Sequence, residues 1–323
     1  MWIELIKLTA LLLALTLLLT FVYRAMGKDS VKGRLVQGLL FGLIAVLGMY
    51  MPVNYAPGLI FDPRSVIISM AGFFGGPIAA IPAMLIAGGY RYSLGGAGAL
   101  AGSLVVILSA GVGIAAYYLR KRLFISSSAL HFFLFGLICH FIAMFGMLAL
   151  PDEVMWNVVE KLSLPFFIIY PPVTIFLGYL LADIEQKHEL ELKLRASTAQ
   201  LRTLFNTAPD LIWLKDTNGA YLMCNQLVET YLGVSESELR GTTDYNYIDK
   251  EQADFVRASD LKAIETGGEI VSEHWVTYAE DQRKVFLEIT KTPVYDSAQK
   301  LIGVLGVANN ITKRSETEAK LRQ

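Results

Sequence analysis

Charge is distributed along this 323-residue chain in a way that few folds allow. Residues 1–182 carry eleven Lys/Arg and six Asp/Glu, whereas residues 183–323 carry 17 and 23. In the first part the charges punctuate six uncharged runs: 8–23, 35–61, 65–90, 92–119, 123–151 and 162–182. About 20 apolar residues cross the hydrocarbon core of a bilayer, so every run is a candidate crossing, the first with help from its flanks. A sparsely charged basic part joined to a normally charged acidic part reads as a membrane domain followed by a soluble one. With 54% hydrophobic residues and a net charge of −1, the chain is neither disordered, nor a basic nucleic-acid binder, nor an ordinary soluble globule. The partner expected of such a chain is membrane lipid, with no nucleic acid.

The first run follows Lys7 as a secretory leader would. However, Phe21-Val22-Tyr23-Arg24 replaces a small-residue cleavage site, so the run is read as a retained helix. Cys139 and Cys224 are too far apart for a disulfide framework or a metal pattern, and a reducing cytosol is the default for the soluble part.

Lys/Arg-rich linkers orient the crossings. One linker holds Arg24, Lys28, Lys32 and Arg34, and another is Arg120-Lys121-Arg122. Three crossings between them would put the two on opposite sides, against the rule; two crossings would put both in the cytoplasm. The run at 65–90 is the one expected not to cross. Gly72, Gly75-Gly76-Pro77, Pro82 and Gly88-Gly89 break it, and broken helices of this kind line cavities. Loop 151–161 is then external and the soluble part cytoplasmic. Five or six crossings both fit.

Two cations flank that broken run. Arg64 follows Asp62-Pro63, and Arg91 lies in Gly88-Gly89-Tyr90-Arg91-Tyr92-Ser93-Leu94-Gly95-Gly96. A membrane-buried Arg costs about 2.5–3.5 kcal/mol on insertion scales, and its planar fork suits a carboxylate. One reading is a shallow cavity in which both guanidiniums receive a small anion. The other is interfacial snorkelling with Asp62 as an ion-pair partner. Ser103 and Ser109 are either ligand contacts or hydroxyls spent within their helix. Small residues at Gly72, Gly76, Gly95-Gly96-Ala97-Gly98 and Ala101-Gly102-Ser103 suit close helix approach. His131 and His140 lack metal spacing and are read as packed or interfacial. Pro165, Pro171 and Pro172 are expected to kink the last run.

Three motifs in this order, Asp62-Pro63-Arg64, Ala71-Gly72-Phe73-Phe74-Gly75-Gly76-Pro77 and Tyr90-Arg91-Tyr92-Ser93-Leu94-Gly95-Gly96, resemble the five-transmembrane receptor domain of LytS–YhcK type over about 30–182. The resemblance implies a bacterial sensor placed ahead of a histidine kinase or a diguanylate cyclase. In some members the ligand is a small carboxylate such as pyruvate, and the arginines implicated there match Arg64 and Arg91. Asp62 stands where the family usually has Asn, and is expected to pair with Arg64. Where carboxylate-binding relatives use a thiol and a hydroxyl, this chain has Gly102 and Val105, with Ser103 nearby.

Residues 183–204 form an amphipathic connector. Leu190, Leu194, Leu201 and Leu204 keep 3/4 spacing, with Ser197 at the matching polar position. This suits a parallel dimer helix or a single helix packed on its own domain, and a homodimer is expected. Residues 205–312 then read β-β-α-α-α-β-β-β. Strands are expected at 210–215, 220–224, about 269–279, 283–292 and 300–310. Asp216-Thr217-Asn218-Gly219 makes a hairpin turn, and Asp281-Gln282 lies in another. Ser235–Glu238 and Asp249–Gln252 are capping-box patterns.

That order resembles a PAS domain. So do Phe205-Asn206-Thr207-Ala208-Pro209-Asp210, Tyr231-Leu232-Gly233-Val234-Ser235, and Ile302-Gly303-Val304-Leu305-Gly306 with Asn310-Ile311-Thr312. The expected fold class is therefore an α-helical polytopic membrane domain plus an α/β PAS domain with an antiparallel five-stranded sheet. No cofactor is expected. Cys224 lacks the sequence of a flavin photoreceptor cysteine, helix 249–266 has no His for haem, and His274 on its strand is read as satisfied or exposed.

No nucleotide loop, nucleophile elbow, kinase phospho-acceptor box or cyclase motif is present. A short outgoing helix, 313–323, points to an output module beyond it. The expected function is ligand sensing in the membrane domain, relayed through the PAS domain. A small-molecule carrier, or a PAS sensor with a purely anchoring membrane part, would share these features.

Overall fold

The structure, a computed structural model, describes residues 2–50, 53–56, 59–96, 98–123, 128–150, 152–279 and 282–321. It consists of two compact units, Met1–Lys193 and Leu194–Gln323.

The first unit is helical: α1 (Trp2–Met26), α2 (Val31–Met49), a short hairpin β1 (Val53–Ala56) and β2 (Leu59–Phe61), α3 (Arg64–Ser93), α4 (Ala99–Leu123), α5 (Ala129–Met144) with a 3-10 turn at Phe145–Ala149, and α6 (Asp152–Thr207). Among the described residues, five helices are long and apolar enough to cross a membrane, and α1 adds the shorter stretch Ala10–Met26. Ser30 and Ser128 cap α2 and α5 through their hydroxyls, which accept from the amides of Gly33 and His131 and so satisfy donors that a helix start leaves open.

At Gly76, inside α3, the backbone takes φ +65° and ψ −160°. Only glycine holds that conformation without penalty, and Pro77 behind it has no amide to continue the ladder. Contacts on either side show how each half runs. Before the break, Gly72 lies against Gly113 and Gly76 against Tyr117, so this half travels in the direction of α4. After it, Gly88 lies against Val106, and Arg91 against Gly102 and Gly98. This half therefore runs back against α4, and alongside α2, where Gly38 meets Ala79 and Gly42 meets Ala83 and Ile86. So α3 is a re-entrant pair of half-helices. Both its ends lie at one end of the unit, where Gly48 of α2 touches Pro63 and the Tyr50 ring lies 5.3 Å from Tyr90. The glycines at 38, 42, 72 and 113 admit these close approaches, since a Cβ at any of them would lie 2.9 Å or less from a neighbouring atom.

One expectation for the last run needs correction. Residues 152–161 are helix, not loop, because α6 starts at Asp152; acidic residues at 152 and 153 suit a helix N-terminus. Pro151 lies outside the described residues. Pro165, Pro171 and Pro172 lie within α6, as membrane helices tolerate proline where neighbouring groups compensate.

In the second unit, β3 (Leu211–Asp216), β4 (Tyr221–Cys224), β5 (Ile270–Thr277), β6 (Lys284–Tyr295) and β7 (Leu301–Asn310) form an antiparallel sheet in the order β4-β3-β7-β6-β5. The helices α7 (Gln226–Leu232), α8 (Glu236–Leu239) and α9 (Lys250–Thr266), with a 3-10 turn at Asp244–Asn246, lie between β4 and β5, and α10 (Thr312–Leu321) follows β7. Asp216 builds the first hairpin turn, its carboxylate accepting from the amides of Asn218 and Ala220 at 2.9 and 2.8 Å, with Gly219 at φ +89°. Glu238 accepts from the amide and hydroxyl of Ser235. Asp249 caps α9 by accepting from the Gln252 amide. Gln282 has φ +56°, and Asp281 lies outside the described residues, as do Ala97, Arg322 and Gln323.

Strand β6 runs on to Tyr295, three residues past expectation. Its pairing with β5 ends at Lys291, so Pro293 faces an open edge and its missing amide breaks no ladder. Leu211, Tyr221, Val228, Leu239, Leu287 and Ala308 are among the buried core.

Candidate functional site

Because α3 doubles back, Arg64 and Arg91 emerge at the same end of the membrane unit. Asp62 is buried and serves Arg64 twice. Its Oδ1 accepts from the Arg64 amide at 3.1 Å and lies 3.3 Å from Arg64 Nε. It therefore caps the start of α3 and turns the guanidinium, whose Nη1 donates to Met49 Sδ at 3.7 Å. Arg91 is within electrostatic range of both Asp62 and Arg64. Its Nη1 donates to the Gly95 carbonyl at 3.4 Å, and among the described residues no carboxylate forms an ion pair with it. Its side chain occupies the space left by two glycines. A Cβ on Gly98 would lie 2.9 Å from Nη2, and one on Gly102 would lie 2.6 Å from Nε.

Ser103 stands one residue on, but its hydroxyl is directed at the carbonyls of Ala99 (2.9 Å) and Gly88 (3.2 Å). Val105 is buried against Gly146. Ser109 is also buried, beside the Cys139 thiol.

Beside Asp62 lies a polar cluster that the sequence pattern did not reveal. The Tyr170 hydroxyl of α6 donates to the Asp62 carbonyl at 2.9 Å. The His140 ring stacks on Tyr170 at 4.6 Å and 12°. His140 Nδ1 faces the Gly136 carbonyl at 2.7 Å, so the proton sits there, and Nε2 at 3.2 Å accepts from the Ser65 hydroxyl. The start of α3 is thus hydrogen-bonded to the last membrane helix.

The opposite end of this unit gathers both basic linkers. Lys28 pairs with Glu185 at 3.3 Å and also with Glu189, Arg120 pairs with Glu185, and Arg34 donates to the Tyr117 hydroxyl at 3.0 Å. These groups line a cavity of about 440 Å³.

The PAS unit holds a second cavity, of about 500 Å³, between the sheet and its helices. Lys215 and Asp244 of its lining belong to a buried ionic chain. Lys215 Nζ lies 2.5 Å from Asp244 and 3.8 Å from Asp260, and Lys291 lies 2.5 Å from Asp260. The Tyr221 hydroxyl donates to Asp244 at 2.8 Å, and Lys291 donates to the Val256 carbonyl at 2.8 Å. Two lysines against two aspartates leave no excess charge. Burial pushes the Lys291 ammonium below its ordinary value despite Asp260. Burial, then Asp244, pushes the Tyr231 hydroxyl up to about 12, and burial pushes the Cys224 thiol up to about 11. These four ionic residues lie on β3, the 3-10 turn, α9 and β6, so no local motif announces them.

His274 departs from its sequence reading. It lines the cavity edge-on to Phe255 at 4.8 Å, and its Nε2 is buried with no partner among the described residues; Trp213 Nε1 is in the same condition. Burial and Lys291 lower the pKa of His274. Among the described residues no three His, Cys, Asp or Glu side chains converge as a metal site.

Comparison with known proteins agrees with this division. The profile of the family described as 5TMR of 5TMR-LYT matches residues 19–184, and that of the PAS fold matches 205–316. The aerobic respiration control sensor protein ArcB of Escherichia coli (strain K12) is 29% identical over 123 residues, 38% of this chain and 16% of ArcB. The methanogenesis regulatory histidine kinase FilI of Methanothrix harundinacea is 26% identical over 129 residues, 40% of this chain and 14% of FilI. The chain therefore spans about a sixth of the length of these curated relatives. Among solved structures, the PAS domain of Bordetella pertussis BvgS is 24% identical, with TM-score 0.32, covering 41% of this chain and 98% of that one. A PAS domain from Colwellia psychrerythraea is 24% identical, with TM-score 0.30, covering 38% and 98%.

Proposed function

Because this chain belongs to the family described as 5TMR of 5TMR-LYT and carries a PAS fold behind that receptor domain, we propose that it is the sensing and relay region of a bacterial inner-membrane signal transducer. It joins a multi-pass sensory membrane domain to a PAS domain, and over 38–40% of its length it is similar to sensor proteins that include a histidine kinase. The ligand is a small carboxylate such as pyruvate, received between Arg64 and Arg91. The PAS domain is cytoplasmic, and the output is a histidine kinase or a diguanylate cyclase. The chain works as a parallel homodimer through α6, whose Leu190, Leu194, Leu201 and Leu204 are more than half exposed.

The observation that carries this reading is the return of α3 at Gly76, which brings Arg91 back toward Arg64. Asp62 occupies one edge of the Arg64 fork, while Arg91 offers a cation that no carboxylate among the described residues pairs with. An incoming carboxylate would satisfy it with charge-assisted bonds of about 1.5–3 kcal/mol each. Calorimetry with pyruvate on the chain in lipid nanodiscs tests this. Arg91→Ala and Arg64→Ala should each weaken binding by about 10–100-fold, and wild-type affinity in both variants would end the reading.

The PAS cavity favours a second input. Trp213 Nε1 and His274 Nε2 point to a ligand with a hydrogen-bond acceptor, and the self-neutralised lysine–aspartate chain favours a neutral one. Benzamide and its anionic isostere benzoate separate the cases. Binding of benzamide alone, lost in His274→Phe, is expected; equal binding of both in that variant would remove this input.

A further inference from the structure

The re-entrant tip of α3 and the exit of α6 meet through one side chain. Phe73 and Phe74 precede the Gly76 break and are buried. The Arg120 guanidinium of α4 lies over both rings, 5.4 and 5.3 Å from their centroids. The same guanidinium pairs with Glu185 of α6. Glu185 is also held by Lys28, from the linker between α1 and α2, at 3.3 Å, and Lys28 spans one helical turn to Glu189 as well. The break itself is covered by Tyr117. A Cβ at Gly76 would lie 2.9 Å from that ring, whose hydroxyl accepts from Arg34.

An isolated surface ion pair contributes little. This one differs in burial and connectivity. The side chains of Lys28, Arg120 and Glu185 are only 17%, 25% and 15% exposed, and one carboxylate is gripped from two separate elements. A cation over an aromatic face gains where water is excluded. Arg120 therefore registers where the tip of α3 sits and passes that position to α6 through Glu185.

We infer that Glu185, clasped by Lys28 and Arg120, is an electrostatic latch on the signalling helix, and that Phe73 and Phe74 at the tip of the re-entrant helix set it through Arg120. Movement of the tip takes the rings from under the guanidinium, and Arg120 then holds α6 less firmly. The latch deepens the relay proposed above, yet its test uses no ligand, so it stands or falls separately from pyruvate binding. A switch of this kind requires two arrangements of one packed element, and the unlinked half-helices of α3 supply that element.

Hydrogen–deuterium exchange of the chain in lipid nanodiscs, read on peptides covering 183–193, is the measurement. Glu185→Gln keeps shape and removes charge, and should raise exchange there about tenfold. Glu185→Asp should recover part of the protection. Phe74→Leu keeps the burial and removes the π face, and should raise exchange about threefold. Arg120→Lys keeps the charge and should behave like Phe74→Leu. Unchanged exchange in Glu185→Gln, or equal loosening of 31–49 and 99–122, overturns the latch. Exchange that rises in Glu185→Gln but not in Phe74→Leu or Arg120→Lys overturns the link to the tip of α3.

Discussion

Two of the places where this chain buries charge are built on opposite plans. At one end of the membrane unit, Asp62 and Arg64 are two residues apart and satisfy each other locally, while Arg91 faces the same region without a carboxylate of its own among the described residues. In the PAS unit, Lys215, Asp244, Asp260 and Lys291 come from four elements and cancel one another. The first arrangement has cationic valence left over and the second has none. A site with surplus charge is prepared for a charged visitor. A closed chain of pairs fixes a core and leaves neighbouring orphaned donors, such as Trp213 Nε1, to choose a neutral one.

The largest effect expected from breaking this contrast is in the PAS unit. Lys215→Met leaves Asp244 buried with its cation gone, and should lower PAS unfolding stability by about 3–5 kcal/mol, whereas replacing both Lys215 and Asp244 by apolar residues should cost far less. Chemical denaturation followed by circular dichroism decides; equal losses in the single and double variants would show that the pair is not the cause. In the membrane unit the corresponding change should move binding, not stability. Gly102→Ala puts a methyl where Arg91 Nε lies. The long side chain can swing away, so the fold survives while pyruvate affinity falls by about tenfold or more. Retained affinity would separate Arg91 from the ligand.

A smaller effect should come from Asp62→Asn, which keeps an acceptor for the Arg64 amide and removes the competing charge. Carboxylate affinity should rise by about 3–10-fold; a fall would mean that Asp62 orients Arg64 chiefly through its charge. Smallest of all is the cap at Ser235. Bonds from Ser235 lower the pKa of Glu238, so its stabilisation is complete above its unfolded value near 4.5 and is lost as pH falls through the folded one. The acid side of the PAS stability–pH curve should flatten slightly in Glu238→Gln, and an unchanged curve would show that the cap contributes nothing.

How much of this was legible in the sequence follows the same division between local and distant. Charge spacing marked the helices, and Gly75-Gly76-Pro77 marked the break, because uncharged length and a glycine before a proline act on the backbone around them. Turn and cap residues at Asp216, Ser235 and Asp249 act within four residues and were readable for the same reason. Tyr170 reaching Asp62, Arg120 lying between Phe74 and Glu185, and Lys215 meeting Asp260 are contacts over 45 to 108 residues that follow from packing alone. The loop expected at 151–161 failed because a few charges next to a proline read as a connection, while backbone propensity allowed one more stretch of helix. His274 misled because alternation along β5 does not report the depth of the cavity it borders.

One consequence of the Gly76 reversal concerns membrane threading. On the membrane placement proposed above, a segment that doubles back at Gly76 adds nothing to the parity of the path, so residues after Ser93 keep their side if α3 is shortened or excised. Substitutions in this segment would then alter what is sensed without turning the signalling helix inside out.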